Sequence, residues 1–129
     1  MPRRKKQSGR ISVFKGRKAK LNHAIFHILA GKGPHTIYDI HKTVKTQRRL
    51  RHVRYASVNK RVRSLEETGY IKKIGVKKTK TGSQAIIYDL AARAYLAMLL
   101  NSIKLDKLVM QVDEVAALII LGDIIWAST

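Results

Sequence analysis

Residues 54–90 read RYASVNKRVRSLEETGYIKKIGVKKTKTGSQAIIYDL, and this stretch decides the fold. Val58, Val62 and Leu65 recur at helical intervals and make one apolar stripe. Gly69 follows directly, where a helix C-terminus favours a residue free to take positive φ. The spacing therefore predicts a helix over residues 54–68. Its opposite face carries Ser57, Lys60, Arg63 and Ser64, with Asn59 on the flank. Tyr70, Ile71, Ile74 and Val76 then mark a strand over residues 70–76. Residues 77–83, with Gly82, read as a turn, and residues 84–90 return as a second strand containing Ile86, Ile87 and Tyr88. An isolated hairpin is marginal in water, so this one is expected to pack on helices. Its Lys77, Lys78 and Lys80 have no acid near them in sequence.

The flanking residues fit this reading. Leu21, Ile25, Ile28 and Leu29 give a first helix over residues 20–30, ended by Gly31, Gly33 and Pro34. Thr36 reads as an N-cap, with Asp39 in a capping-box-like position three residues on. A short second helix over residues 37–45 follows, with Ile37, Ile40 and Val44 inward. Residues 46–53, TQRRLRHV, are an extended turn or a continuation of that helix. Either way, Arg48, Arg49 and Arg51 cluster before the third helix, and Arg forks suit phosphate.

Charge divides the chain. Its 129 residues hold 27 Lys and Arg against 8 Asp and Glu, a formal net charge of +19. Residues 1–20 have nine basic and no acidic residues, residues 21–90 fifteen and four, and residues 91–129 three and four. Self-repulsion on this scale points to a polyanionic partner, and the charge ends where the hairpin ends. Residues 1–19 read as a basic flexible arm that follows phosphates, enters a minor groove, or merely solubilises. Within it, Ile11, Val13 and Phe14 are candidates for a short strand or for packing on the domain.

The order helix, helix, helix, strand, basic loop, strand over residues 20–90 resembles the winged helix-turn-helix superfamily of DNA-binding domains. The part that carries most of the resemblance is SVNKRVRSLEETGYI, residues 57–71, with IIYDL as the second wing strand. The whole looks most like a small archaeal or bacterial transcriptional regulator. Two features depart from that pattern: the long basic connection at residues 46–53 and everything after Leu90. The resemblance implies an α+β, mainly helical fold, with three helices and a two-stranded wing, to which the residues after Leu90 add a helical tail. It also implies that the third helix reads a major groove through Ser57, Asn59, Lys60 and Arg63. Arg48, Arg49, Arg51, Arg54, Lys77, Lys78 and Lys80 would then hold phosphates or the minor groove. Glu66 and Glu67 would balance charge.

Residues 91–129 read as a helical dimerisation tail, with no proline and one glycine. Leu96, Leu99, Leu100 and Ile103 form one stripe. Leu105, Leu108, Val112, Val115, Ile119, Gly122 and Trp126 form a second at alternating steps of three and four, an a/d heptad pattern. The two registers differ, so a bend is expected near residues 101–104. Apolar residues nearly encircle the last part, which would not stay exposed on a monomer. Homodimerisation is the preferred reading. Packing on the chain's own domain, a membrane surface, or a different partner are the alternatives.

The chemistry expected is binding, not catalysis. No phosphate-binding glycine loop, nucleophile elbow or paired catalytic carboxylates occur in the sequence. There are no cysteines, which excludes a disulfide framework and thiolate metal sites. His23 and His27 have a metal-compatible i, i+4 spacing, but they lack an adjacent Glu and read as a structural or solvent-facing pair. His35, Asp39 and His41 could add ligands only if the fold converged them. Asp113 and Glu114 read as a solvated face. No cofactor is expected, and no apolar run is long enough to span a bilayer. A cytoplasmic, nucleoid-associated regulator follows. The rivals are a structural RNA-binding protein of ribosomal type and an architectural DNA coater without base preference.

Overall fold

The structure, a computed structural model, describes residues 11–128. Residues 1–10 of the basic arm and Thr129 lie outside the described residues. The fold is mainly helical with one two-stranded antiparallel sheet, an α+β arrangement.

The core begins earlier than the charge pattern suggests. A 3-10 turn at Ser12–Phe14 buries Val13 and Phe14. Phe14 stacks on His23 at 4.3 Å and meets Phe26 edge-on at 5.6 Å. The buried Asn22 donates from Nδ2 to the Val13 carbonyl at 2.8 Å and fixes this turn on the first helix. Of the two expectations for Val13 and Phe14, packing on the domain is the one observed, because Phe14 carries the aromatic ring that covers one side of that helix.

Helix α1 (Ala19–Lys32) contributes Ile25, Phe26, Ile28 and Leu29 and ends at Gly33, φ +86°. Helix α2 (Ile37–Val44) starts as its sequence indicates, with the Asp39 amide donating to Thr36 Oγ1 at 3.1 Å. A 3-10 turn (Arg48–Leu50) makes the connection, with Leu50 half-buried against the core. Helix α3 (Tyr55–Glu67) buries Val58, Val62 and Leu65. It closes with paired bonds from the Tyr70 amide to the Leu65 carbonyl and from the Gly69 amide to the Glu66 carbonyl, with Gly69 at φ +85°. These two bonds satisfy carbonyls that a helix end would otherwise leave open.

Strands β1 (Ile71–Lys78) and β2 (Gln84–Leu90) pair from Ile71↔Leu90 to Lys78↔Gln84, with a bulge between Lys73 and Gly75. Only the base of the hairpin is buried, at Ile71, Tyr88 and Leu90. Ile74, Val76 and Ile86 are exposed. The hairpin is tied down by a feature the sequence does not announce. His35 and Tyr88 exchange backbone hydrogen bonds at 3.0 and 2.9 Å, adding a one-residue third strand from the loop after α1.

The tail is three helices, α4 (Ala92–Ser102), α5 (Leu105–Gln111) and α6 (Glu114–Ser128). The break before Leu105 matches the expected bend. A second break, at Val112, overturns the continuous heptad helix. Asp113 is the cause: its Oδ1 accepts from the Ala116 amide at 2.8 Å, an N-cap that starts a new helix. The residue read as part of a solvated face is a cap. On α4 the expected Leu96, Leu99 and Leu100 stripe is exposed, and Ala94 and Ala97 are buried instead. Small residues let α4 lie close against β2, and the leucines point away.

Candidate nucleic-acid interface

The outward face of α3 lies between two basic rims. One flank of the helix adjoins the hairpin. There Glu66 pairs with Lys73 of β1 at 3.7 Å, and the Glu66 and Arg63 charges both act on the buried Tyr88 phenol. Burial raises the Tyr88 pKa above its ordinary value; Glu66 adds to that rise and Arg63 opposes it. The other flank adjoins α1. A groove of about 360 Å³ opens there, lined by Arg17 and Lys18 of the turn before α1, by Lys20 of its first turn, by Leu50, and by Ser57, Lys60 and Arg61 of α3.

Ser57, Lys60 and Arg63 are exposed, as a contact surface requires, while Asn59 is half-buried. Arg48, Arg49, Arg51 and Arg54 are exposed around the 3-10 turn and the entry to α3. Arg48 and Arg49 also line a second groove, with Lys20, His23 and His27. That entry is held by His41, whose Nε2 lies 2.9 Å from the Val53 carbonyl, and by Tyr55, whose ring meets His41 edge-on at 5.7 Å. Lys78 and Lys80 are exposed toward the hairpin tip. The tip itself is ordered by Thr79: its amide donates to the Ser83 carbonyl at 2.8 Å, and its hydroxyl lies 3.0 Å from that of Thr81.

Lys77 differs from its sequence reading. It belongs to β1, not the turn, and its Nζ lies 3.6 Å from Asp39 on α2. The acid that is remote in sequence is brought beside it by the hairpin's packing over α2. Asp39 is therefore directed to Lys77, and no reciprocal bond to the Thr36 amide completes a capping box.

Arg17, Lys18, Lys20 and Arg61 were not singled out from sequence. Arg61 sits one position beyond the outward face expected for the helix, Arg17 and Lys18 fell within the arm, and Lys20 opened the first helix. The signal available was the cluster of basic residues, Lys15, Arg17, Lys18 and Lys20, around the start of α1. Among the described residues, no three His, Cys, Asp or Glu side chains group as metal ligands, and His23 and His27 stack at 5.9 Å. No described helix is long and apolar enough to cross a membrane.

The residues proposed for dimerisation are placed outward in the single chain. Leu105, Leu108, Val115, Ile119 and Trp126 are exposed, and Val112 at the break is half-buried.

No family model and no curated protein matches this chain. Among solved structures, the crystal structure of the diamide-treated YodB from B. subtilis is similar, with a TM-score of 0.50 and 20% identity. The match covers 69% of this chain and 76% of that one. At this identity the likeness is one of fold.

Proposed function

We propose that the chain is a winged-helix protein that binds duplex DNA as a homodimeric transcription regulator without catalytic activity. The observation that carries this reading is the exposed cationic face of α3, set between the Arg17–Arg61 groove and the lysines of the hairpin. A helix of this size fits a major groove, and Lys60 and Arg63 have the donors to read guanine edges. The rims on either side fit the phosphates that border the groove, which position the helix without reading sequence. Lys78 and Lys80 extend the charge along the hairpin toward the neighbouring minor groove. The apolar, acid-bearing tail has no role in that contact and supplies the dimer. Two copies of α3 then meet two half-sites.

The test begins with selection from a random duplex library and measurement of the enriched sequence across a salt series. Steep salt dependence is expected, because phosphate neutralisation releases counterions. Arg63→Ala should weaken the enriched duplex more than a random one, by about 1–3 kcal/mol of lost discrimination. Lys78→Ala should weaken both alike. Loss of neither contact with either variant would remove this docking. Displacement of the duplex by an equal amount of structured RNA would favour the RNA-binding alternative, and no enrichment at all would favour an architectural coater.

A further inference from the structure

A cavity of about 200 Å³ lies where the Ser12–Phe14 turn, α1 and the second half of α3 meet. Asn22 of α1 lines it, and the fold uses only one end of that side chain. Its Nδ2 donates to the Val13 carbonyl, but its Oδ1 is buried with no hydrogen-bond donor among the described residues. An amide oxygen left buried and unpaired costs about 1–3 kcal/mol. A donor from outside the chain removes that cost.

Around that acceptor the cavity is cationic. Lys15, Lys18 and Arg61 line it, no acid does, and none of the three pairs with a carboxylate among the described residues. Val13 and Leu65 add an apolar wall. The volume is that of about seven waters at ~30 Å³ each, room for a compound of about ten non-hydrogen atoms. These features select a ligand. Three cations call for more than one negative charge, and the Arg61 fork suits a carboxylate. The apolar wall favours a carbon skeleton over a bare oxyanion. The donor to Oδ1 must be neutral, because an ammonium group would face the three cations.

We propose that this cavity binds a small hydroxycarboxylate, with its carboxylates on Lys15, Lys18 and Arg61 and its hydroxyl donating to Asn22 Oδ1. Lys15 and Lys18 are exposed, and exposed side chains change rotamer within nanoseconds, which lets them turn aside to admit it. Lys18 and Arg61 also line the groove assigned above to phosphate contact. The bound anion therefore competes with a duplex for two cations, which makes the cavity a regulatory site. That competition rests on the duplex-binding reading; binding of the hydroxycarboxylate does not.

Calorimetry on the full chain compares malate with succinate, which keeps both carboxylates but lacks the hydroxyl, and with sulfate, all at one ionic strength. Malate should bind about tenfold more tightly than succinate, as one hydrogen bond to a buried acceptor allows. Sulfate should bind more weakly than either. Equal binding of malate and succinate overturns the bond to Asn22. Absence of malate binding, or sulfate binding as tightly, overturns the site. Asn22→Ala should erase the malate–succinate difference, and a folded variant that keeps it overturns the role of Oδ1. That substitution also releases the Val13 carbonyl, so the comparison on the unaltered chain decides where the variant does not fold. Fluorescence anisotropy of a labelled duplex then tests the competition, and malate should weaken the duplex more than succinate does. Calorimetric binding with unchanged duplex affinity overturns the competition alone. A chain that binds malate but no duplex removes the duplex-binding reading and leaves the ligand site standing.

Discussion

The Arg93 guanidinium donates to the Thr68 carbonyl at 2.6 Å, joining the first turn of α4 to the end of α3. Gly69 makes that bond possible twice over. Its φ of +85° turns the chain out of α3, and a Cβ there would come within 2.7 Å of Arg93 Nη1. Gly69→Ala should therefore cost about 1–2 kcal/mol from the left-handed backbone alone. Urea unfolding reads the loss. The displaced Arg93 side chain can swing into solvent, so the close approach adds less than the backbone does.

Asp39 and Lys77 form an exposed pair, which holds little stability but would remove one cation from the proposed nucleic-acid surface. Asp39→Asn should change stability by less than about 1 kcal/mol, as for exposed ion pairs. It should tighten duplex binding by roughly two- to fivefold and steepen the salt dependence, because Lys77 becomes available to phosphate. Fluorescence anisotropy at several salt concentrations measures both. Unchanged affinity would mean that β1 lies off the duplex at this position.

The parts legible in sequence were those fixed by local rules. The 3.6-residue spacing of Val58, Val62 and Leu65 placed α3, the Thr36 cap placed the start of α2, and the span of β2 agreed to the residue. What stayed hidden depends on contacts distant along the chain. Nothing near Lys77 in sequence announces Asp39, and nothing near His35 announces Tyr88. The tail was legible only in part. Within one chain α4 approaches the hairpin through Ala94 and Ala97, so the stripe of larger residues faces outward, and only the small-residue face was hidden from the apolar pattern. The heptad spacing of Leu108, Val112 and Val115 was real as a pattern, but Asp113 caps a new helix in its middle. The basic rim at Arg17, Lys18 and Arg61 was legible only as charge, since α1 and α3 must first be packed side by side.

Phe14 tests where the folded domain begins. It is 1% exposed and packs on His23 and Phe26, so Phe14→Ala should cost about 3–5 kcal/mol, as for other buried aromatic truncations. A residue in a loose arm would cost nothing. Denaturant midpoints of the full chain and the variant distinguish these outcomes.

Tyr88 gives the fold an alkaline limit. Burial, reinforced by Glu66, raises its pKa in the folded chain, so the folded state favours the neutral phenol. The sign follows: the unfolded chain releases this proton at lower pH, near the ordinary value of about 10. Below that value the stabilisation is fully present, and it is lost as pH rises through the folded pKa. Tyr88→Phe should leave stability near neutral pH little changed and remove this part of the loss above about pH 10. The measurement is the difference in denaturant midpoint between the two proteins from neutral to alkaline pH. A difference that stays constant across that range would show that the Tyr88 phenol is not held neutral by its surroundings.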